Sequence, residues 1–357
     1  MLDDTSISQA RTAGDELKKR SVYPFAAIVG QESMREALVL NTINPLIGGV
    51  LIRGEKGTAK STAVRALADL LPGRRVVARC ACGCEPDLDL CPSCADRSET
   101  ERLEETMIPM RVVELPLSST EDRVVGTLDV EHAIKTGRKR FEPGVLAAAN
   151  GNILYVDEVN LLDDHIVDLL LDAAAMGVNF IEREGISYSH PSRFMLVGTM
   201  NPEEGDLRPQ LLDRFGLVVD VEAERDEERR MEIIMRRMEF EKDPEGFRED
   251  YMKEQDRIRR QILDARALLP EVVTGEDVVR ASVRISVHLD VDGHRADLTL
   301  MKAAAAYAAL EGRRVATPSD VVHVSRLVMP HRMRRNPFQD SKLDVEELDS
   351  WLQTTFG

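Results

Sequence analysis

Eight consecutive residues, Gly54-Glu55-Lys56-Gly57-Thr58-Ala59-Lys60-Ser61, have the make-up of a phosphate-binding loop. Small residues let backbone N–H groups turn inward around phosphate oxygens. A helix that begins near Lys60 and runs on through Thr62 aims the positive end of its dipole at the same charge. In such a loop Lys60 reaches the β- and γ-phosphates of ATP, and the Ser61 hydroxyl holds Mg²⁺. The usual pattern places glycine directly before the lysine. Here Ala59 stands there, and its extra methyl is tolerated if its φ is negative.

Three further groups of residues fit around that loop. Ile153-Leu-Tyr-Val-Asp157-Glu158 reads as an apolar strand ending in two carboxylates. Asp157 would serve Mg²⁺, directly or through water, and Glu158 would orient and activate the attacking water. The same pair can simply cap the next helix, but its place downstream of a phosphate loop favours the chemical role. Phe194-Met-Leu-Val-Gly-Thr-Met-Asn201-Pro202 offers an amide at a strand end, fit to position water or touch the γ-phosphate, although Asn-Pro is also a common turn. Arginines come last. Arg214 in Leu212-Asp-Arg-Phe-Gly216 suits an arginine finger supplied in trans to a neighbouring subunit, with Arg208 as a competitor. Arg295 would open a later helix and sense the nucleotide of its own subunit.

All five cysteines fall in one short stretch: Cys80-Ala-Cys82-Gly-Cys84, six residues, then Cys91-Pro-Ser-Cys94. A secreted disulfide framework spreads its cysteines, so this is something else. Cys91 and Cys94 have zinc-knuckle spacing. The other half-site is Cys82 with Cys84, or Cys80 with Cys84. A four-thiolate Zn²⁺ site would staple the insertion without a hydrophobic core. Iron–sulfur ligation, a redox switch and an unligated loop are the alternatives.

The elements that must position these residues are legible as apolar runs and helical periods. Buried parallel strands are expected at Gly49–Arg53, Val112–Leu115, Ile153–Val156, Phe194–Val197 and Leu217–Val221. Helices are expected from Ser33, at Ser61–Leu71 and at Leu161–Ala175, with a short one at Arg97–Glu105. Residues 178–189 read as a hairpin turning at Glu184-Gly185. Alternating strands and helices mean an α/β P-loop domain with a parallel sheet and flanking helices. From about Glu224 the chain reads as helices only, without strand-like alternation: Asp226–Phe240, Lys253–Leu268, Thr274–Leu289, Leu298–Leu310 and Pro318–Met329. The expected division is a flexible lead-in at 1–22, an α/β ATPase domain at 23–223 with the cysteine insertion at 78–97, and an all-α lid at 224–357.

Composition narrows the class. The 357 residues carry 47 Lys and Arg against 63 Asp and Glu, a net charge of −16, and aromatics are only 4%. Neither suits a nucleic-acid binder. No apolar run approaches the length of a membrane span, and the first residues lack a signal-peptide core, so a cytoplasmic protein is expected. His165 reads as a surface or capping residue rather than a base, and His190, His288, His323 and His331 are scattered without ligand spacing. Met231, Met235 and Met238 share a helical face and read as core. Arg332, Arg334 and Arg335 read as a solvated patch or a subunit contact.

Taken in order, these elements resemble a ring-forming AAA+ ATPase, and more closely the I subunit of magnesium chelatase. The resemblance rests on Tyr23-Pro-Phe-Ala-Ala-Ile-Val-Gly-Gln-Glu32, Gly57-Thr-Ala-Lys-Ser-Thr-Ala-Val-Arg-Ala-Leu67, Glu121-Asp-Arg-Val-Val-Gly-Thr-Leu-Asp129, Asp157-Glu-Val-Asn-Leu-Leu162 and Asn201-Pro-Glu-Glu-Gly-Asp-Leu-Arg-Pro-Gln-Leu-Leu-Asp-Arg-Phe-Gly216. It covers about residues 21–335. It implies a homo-oligomeric, generally hexameric ATPase ring. The ring works with a D subunit bearing an integrin-like domain and a porphyrin-binding H subunit, and inserts Mg²⁺ into protoporphyrin IX towards chlorophyll or bacteriochlorophyll. The hairpins around Gly137 and Glu184 would then line the ring. The paired cysteines depart from many family members. A chaperone-like ATPase acting on another integrin-domain partner, or one serving another chelatase, is therefore the alternative. A helicase-like motor is disfavoured because two glutamates flank Arg183 at the hairpin.

Overall fold

The computed structural model describes residues 21–128, 141–183, 186–333, 350–351 and 354–355. The expected lead-in before residue 21, the hairpin around Gly137, the turn at Glu184-Gly185, and Arg334 and Arg335 lie outside them.

Five strands form one parallel sheet: β1 (Val50–Gly54), β4 (Val112–Glu114), β7 (Ile153–Val156), β10 (Met195–Met200) and β11 (Leu217–Val221), in the order β11-β1-β10-β7-β4. Val50 pairs with Val197 on one side and Leu217 on the other. Met195 pairs with Ile153, and Val112 with Ile153 on the far edge. These strands are apolar on both faces because both faces are covered. Alternation divides each strand between two cores. Val50, Ile52, Val197 and Val219 enter one core with the helices Glu32–Ile43 and Lys60–Leu70. Leu51, Leu154, Leu196 and Val218 enter the other, against the helix Asp164–Met176.

The helices after Val221 are Glu227–Lys242, Pro244–Asp250, Met252–Leu268, Glu276–His288, Arg295–Leu310 and Pro318–Val328. Ile262, Ile285, Leu300 and Val324 join the first core, so these helices close over one face of the sheet. The buried alanines Ala303, Ala304, Ala306 and Ala308 let the helix Arg295–Leu310 sit close to its neighbours. Among the described residues no helix is long and apolar enough to cross a membrane.

Four expectations change. The helical array carries a two-residue parallel pair, β12 (Val273–Thr274) with β13 (Val315–Ala316), too short to leave an alternating pattern. The stretch Arg97–Glu105 is not a helix. The helix is Pro92–Ser98, started by proline at its first turn, and the chain then forms β3 (Glu105–Ile108) antiparallel to β2 (Arg74–Val77). Met231, Met235 and Met238 are not core: they stand 55%, 52% and 60% exposed, because nothing among the described residues covers that face of the helix Glu227–Lys242. Arg332 is not solvated but buried. Two small hairpins complete the fold: β5 (Gly126–Leu128) with β6 (Phe141–Pro143), and β8 (Val178–Arg183) with β9 (Ile186–Pro191).

Candidate nucleotide site

The strand order sets the site. β10 lies between β1 and β7, so the chain segments leaving all three strands emerge at one edge of the sheet. The phosphate loop follows β1, Asp157-Glu158 follows β7, and Asn201 follows β10. In open parallel sheets the crevice beyond the strands' carboxyl ends is where ligands bind.

The loop runs from Gly54 to Ala59, and the helix Lys60–Leu70 starts directly after it. Gly54 must be glycine: a Cβ there would come within 2.1 Å of the Val221 carbonyl oxygen. Ala59 is in the left-handed region, φ 61°, so the condition of a negative φ is not met. The methyl is carried at a cost of about 1–2 kcal/mol. The Lys60 ammonium folds back over the loop and donates to the carbonyls of Gly54 (2.5 Å) and Glu55 (2.8 Å). Partial burial lowers its pKa, against the raising pull of Asp157 and Glu158.

Two residues not singled out in the sequence tie this edge of the sheet together. Thr199 Oγ1 donates to Asp157 Oδ1 (2.6 Å) and accepts from the Glu158 amide (3.2 Å). Tyr155 also donates to Asp157 Oδ1 (2.9 Å). The available signal was position: Thr199 follows Gly198, which pairs with Val156. Glu158 itself is left-handed, φ 51°, a conformation unusual for a side-chain-bearing residue and often found at functional sites. Lys56 Nζ bridges to Glu204 (2.6 Å) and Glu158 (3.4 Å), which raise its pKa. Asn201 is buried, and its side chain accepts from the Glu203 amide, capping the short turn Pro202–Glu204.

Beside the loop lies a cavity of 540 Å³ lined by Ile28, Val29, Thr62, Ile233 and Ile234 among others. Its apolar walls next to the phosphate loop suit a flat base. The sequence pointed to Thr62 but not to Ile28, Val29, Ile233 and Ile234, which lie far from the phosphate loop along the chain.

The arginines are all held by carboxylates. Arg214 meets Asp172 (2.5 Å) and Asp168 (3.2 Å) on the helix Asp164–Met176. Arg208 pairs with Asp164 (2.5 Å). Arg295 pairs with Asp213 (2.6 Å), whose other oxygen takes Arg332 (3.1 Å). Of the five cysteines, the structure brings together the sulfurs of Cys80, Cys84, Cys91 and Cys94, the second of the two half-site pairings, and leaves Cys82 out of the set.

Comparison with known proteins bears on this geometry. Residues 97–215 match the AAA domain (dynein-related subfamily), and residues 279–351 the AAA lid domain. A magnesium-chelatase subunit ChlI homolog of Methanocaldococcus jannaschii is 55% identical over 331 residues, covering 93% of this chain and 91% of the relative. The chain belongs to the magnesium-chelatase I-subunit family. The magnesium-chelatase 38 kDa subunit of Acidiphilium rubrum is 50% identical, covering 90% of this chain and 94% of that one. Among solved structures, one chain of a cryo-EM-based complex between subunits BchI and BchD of magnesium chelatase matches with TM-score 0.55 and 49% identity, covering 89% of this chain and 98% of that one. A putative ATPase from Cytophaga hutchinsonii, TM-score 0.59 at 16% identity, shares the fold.

As a member of this family the protein is an AAA ATPase, the motor subunit of a magnesium chelatase. ATP and Mg²⁺ are its working pair. The residues present fit them: an open glycine-bearing loop, a helix N-terminus, a lysine and a hydroxyl at its first two positions, and a carboxylate across the crevice.

Proposed function

We propose that this chain hydrolyses ATP in a homo-oligomeric ring, hexameric, and so drives Mg²⁺ insertion into protoporphyrin IX through a D subunit with an integrin-like domain and a porphyrin-binding H subunit, in the cytoplasm. The observation that carries the reading is the meeting of Lys60 and Ser61 with Asp157 and Glu158 at one sheet edge, in a chain of this family. Residues Gly54, Glu55, Lys56, Gly57, Thr58 and Ala59 wrap the phosphates, with Lys60 on the β- and γ-oxygens and Thr62 beside them. Ser61 and Asp157 hold Mg²⁺. Glu158 draws a proton from the attacking water, and Asn201 orients that water. Arg214 reaches the neighbour's γ-phosphate, and Arg295 answers to the nucleotide of its own subunit. Both arginines must leave the carboxylates that hold them here, which gives ATP a way to rearrange the subunit contact. Residues 23–223 act as the ATPase domain and 224–357 as its lid. A zinc ion in the cysteine insertion completes the cofactors. Porphyrin and nucleic acid bind elsewhere or not at all; the net charge of −16 supports the latter.

The test is reconstitution with active D and H partners, following Mg-protoporphyrin fluorescence. ATP hydrolysis without metal insertion would sink the chelatase assignment. Lys60→Ala should abolish turnover, and an active variant would reject the phosphate loop.

A further inference from the structure

The cysteine insertion is the part of the molecule that ATP chemistry leaves unused. The sulfurs of Cys80, Cys84, Cys91 and Cys94 all lie within 4.8 Å of one another, and Cys80 and Cys91 are 3.9 Å apart. All five cysteines are free of disulfides. Thiolates at about 2.3 Å from a tetrahedral zinc sit about 3.8 Å apart, so the four fit around one ion. A polynuclear iron–sulfur cluster would spread its ligands further. Backbone amides already point at the sulfurs: Cys84 N–H at Cys80 Sγ (3.4 Å) and Cys91 N–H at Cys84 Sγ (3.2 Å). Such donors stabilise thiolate charge and fix ligand orientation. Cys82 is different. Its thiol also interacts with Cys80 and Cys91 but falls outside the set of four; it lies in the apolar cluster with Val77 and Ala147, and its carbonyl accepts from Asn150 Nδ2 (2.9 Å).

What the module touches suggests its task. Phe141, the first residue of β6, packs on the cysteine group and stacks on Tyr188 of β9, ring centres 4.4 Å apart at 22°. The Tyr188 hydroxyl in turn lies close enough to interact with Ser93, between Cys91 and Cys94. Arg74 donates to the carbonyls of Gly83 (3.0 Å) and Asn150 (2.5 Å), just before β7 begins. Asn150 Oδ1 accepts from the Arg193 amide (3.0 Å), just before β10. One small module thus meets the roots of both hairpins and the starts of the two strands that lead to Asp157 and Asn201.

We propose that Cys80, Cys84, Cys91 and Cys94 hold a single zinc ion, with Cys82 a packing residue. Through Phe141 and Tyr188 the resulting knuckle anchors the hairpins β5–β6 and β8–β9 to each other. The anchoring role rests on the reading that the module holds zinc, and each half has its own readout.

For the site, metal analysis of the full chain should find about one zinc per chain. Cys84→Ser and Cys91→Ser should lose it, while Cys82→Ala keeps it. Loss in Cys82→Ala, iron in place of zinc, or a folded metal-free chain with five reactive thiols would overturn the ligand set. For the anchor, hydrogen exchange is followed in residues 126–128, 141–143, 178–183 and 186–191. The comparison is between zinc-loaded protein, protein stripped by a chelator, and Phe141→Ala, which keeps every thiol. Exchange in both hairpins should quicken about tenfold in the last two, with nucleotide affinity held within about twofold. Unmoved hairpins in the stripped protein and in Phe141→Ala would overturn the anchor while leaving the zinc site standing. Acceleration spreading through β1 and β10 would also overturn it, because the knuckle would then staple the whole fold. Neither readout depends on chelatase turnover, so failure of the motor assignment would show separately.

Discussion

Arg332 offers the sharpest test of how the lid holds the ATPase edge. The residue is 8% exposed, and its guanidinium makes a five-bond clamp. Nε donates to Asp213 Oδ1 (3.1 Å), Nη2 to the carbonyls of Asp213 (3.0 Å) and Phe215 (2.7 Å), and Nη1 to those of Gly216 (3.2 Å) and Val328 (2.5 Å). Burial pushes its pKa down to about 10, which still leaves it charged at neutral pH. Consider Arg332→Met, which keeps most of the stem. Asp213 retains Arg295 through its other oxygen, and the Phe215 carbonyl retains His331 Nε2 (3.1 Å). The carbonyls of Asp213, Gly216 and Val328 lose this donor, at about 1–3 kcal/mol for each that stays dry. Breaking one side of a buried charged network typically costs about 3–5 kcal/mol, and the variant should fall in that range by urea denaturation at unchanged slope. The clamp spans Asp213 to Gly216, so Arg214 lies inside it. Hydrolysis by the assembled protein should therefore drop while ATP affinity of the dilute subunit holds. A loss of stability under about 1 kcal/mol would refute the energetics. Normal turnover in a destabilised variant would refute the positioning of Arg214.

Three other predictions follow from single residues. Glu158→Gln should bind ATP and hydrolyse it about 10²–10⁴-fold more slowly; near-normal turnover in a phosphate-release assay would remove Glu158 as the base. His331 is buried, with Nε2 on the Phe215 carbonyl and Nδ1 without a partner among the described residues, and burial and the Arg332 charge hold its pKa well below the usual histidine value. The unfolded chain takes up that proton near pH 6.5 and the folded one does not. This contribution is therefore whole above pH 6.5 and is lost on acidification, by up to about 1.4 kcal/mol per pH unit; His331→Asn should flatten the denaturation slope between pH 6.5 and 5.5, and an unaltered slope would show that other groups set it. Ala59→Gly relieves a left-handed alanine worth about 1–2 kcal/mol but gains about 0.4–1 kcal/mol of unfolded-chain freedom, so its melting temperature should stay level or rise, whereas Ala59→Val should fall clearly. A valine variant as stable as the parent would contradict the backbone geometry at residue 59.

Much of the fold was legible because buried parallel strands are short apolar runs. Val50–Gly54, Ile153–Val156 and Leu217–Val221 stand almost where those runs lie. Strands β2 and β3 were not legible. Arg74-Arg-Val-Val and Glu105-Thr-Met-Ile have no clean apolar period, and they pair through main-chain bonds at the edge of the cysteine module. The methionines of the helix Glu227–Lys242 show a second limit. Helical spacing says which residues share a face, but not whether anything covers it.

By itself the sequence determined local chemistry: a glycine-bearing turn before a lysine and a serine, two carboxylates after an apolar strand, and cysteines spaced for a metal. These are properties of neighbouring residues, set by backbone conformation and hydrophobic period. Tertiary structure alone decided the through-space facts. Placing β10 between β1 and β7 put Thr199 on Asp157 and brought the loop, the carboxylates and Asn201 to one edge. Folding of the insertion chose Cys80 over Cys82. The return of the chain after the last long helix buried Arg332 among carbonyls more than a hundred residues away in sequence. Register and packing fix such distances, and neither is written in any one stretch of the chain.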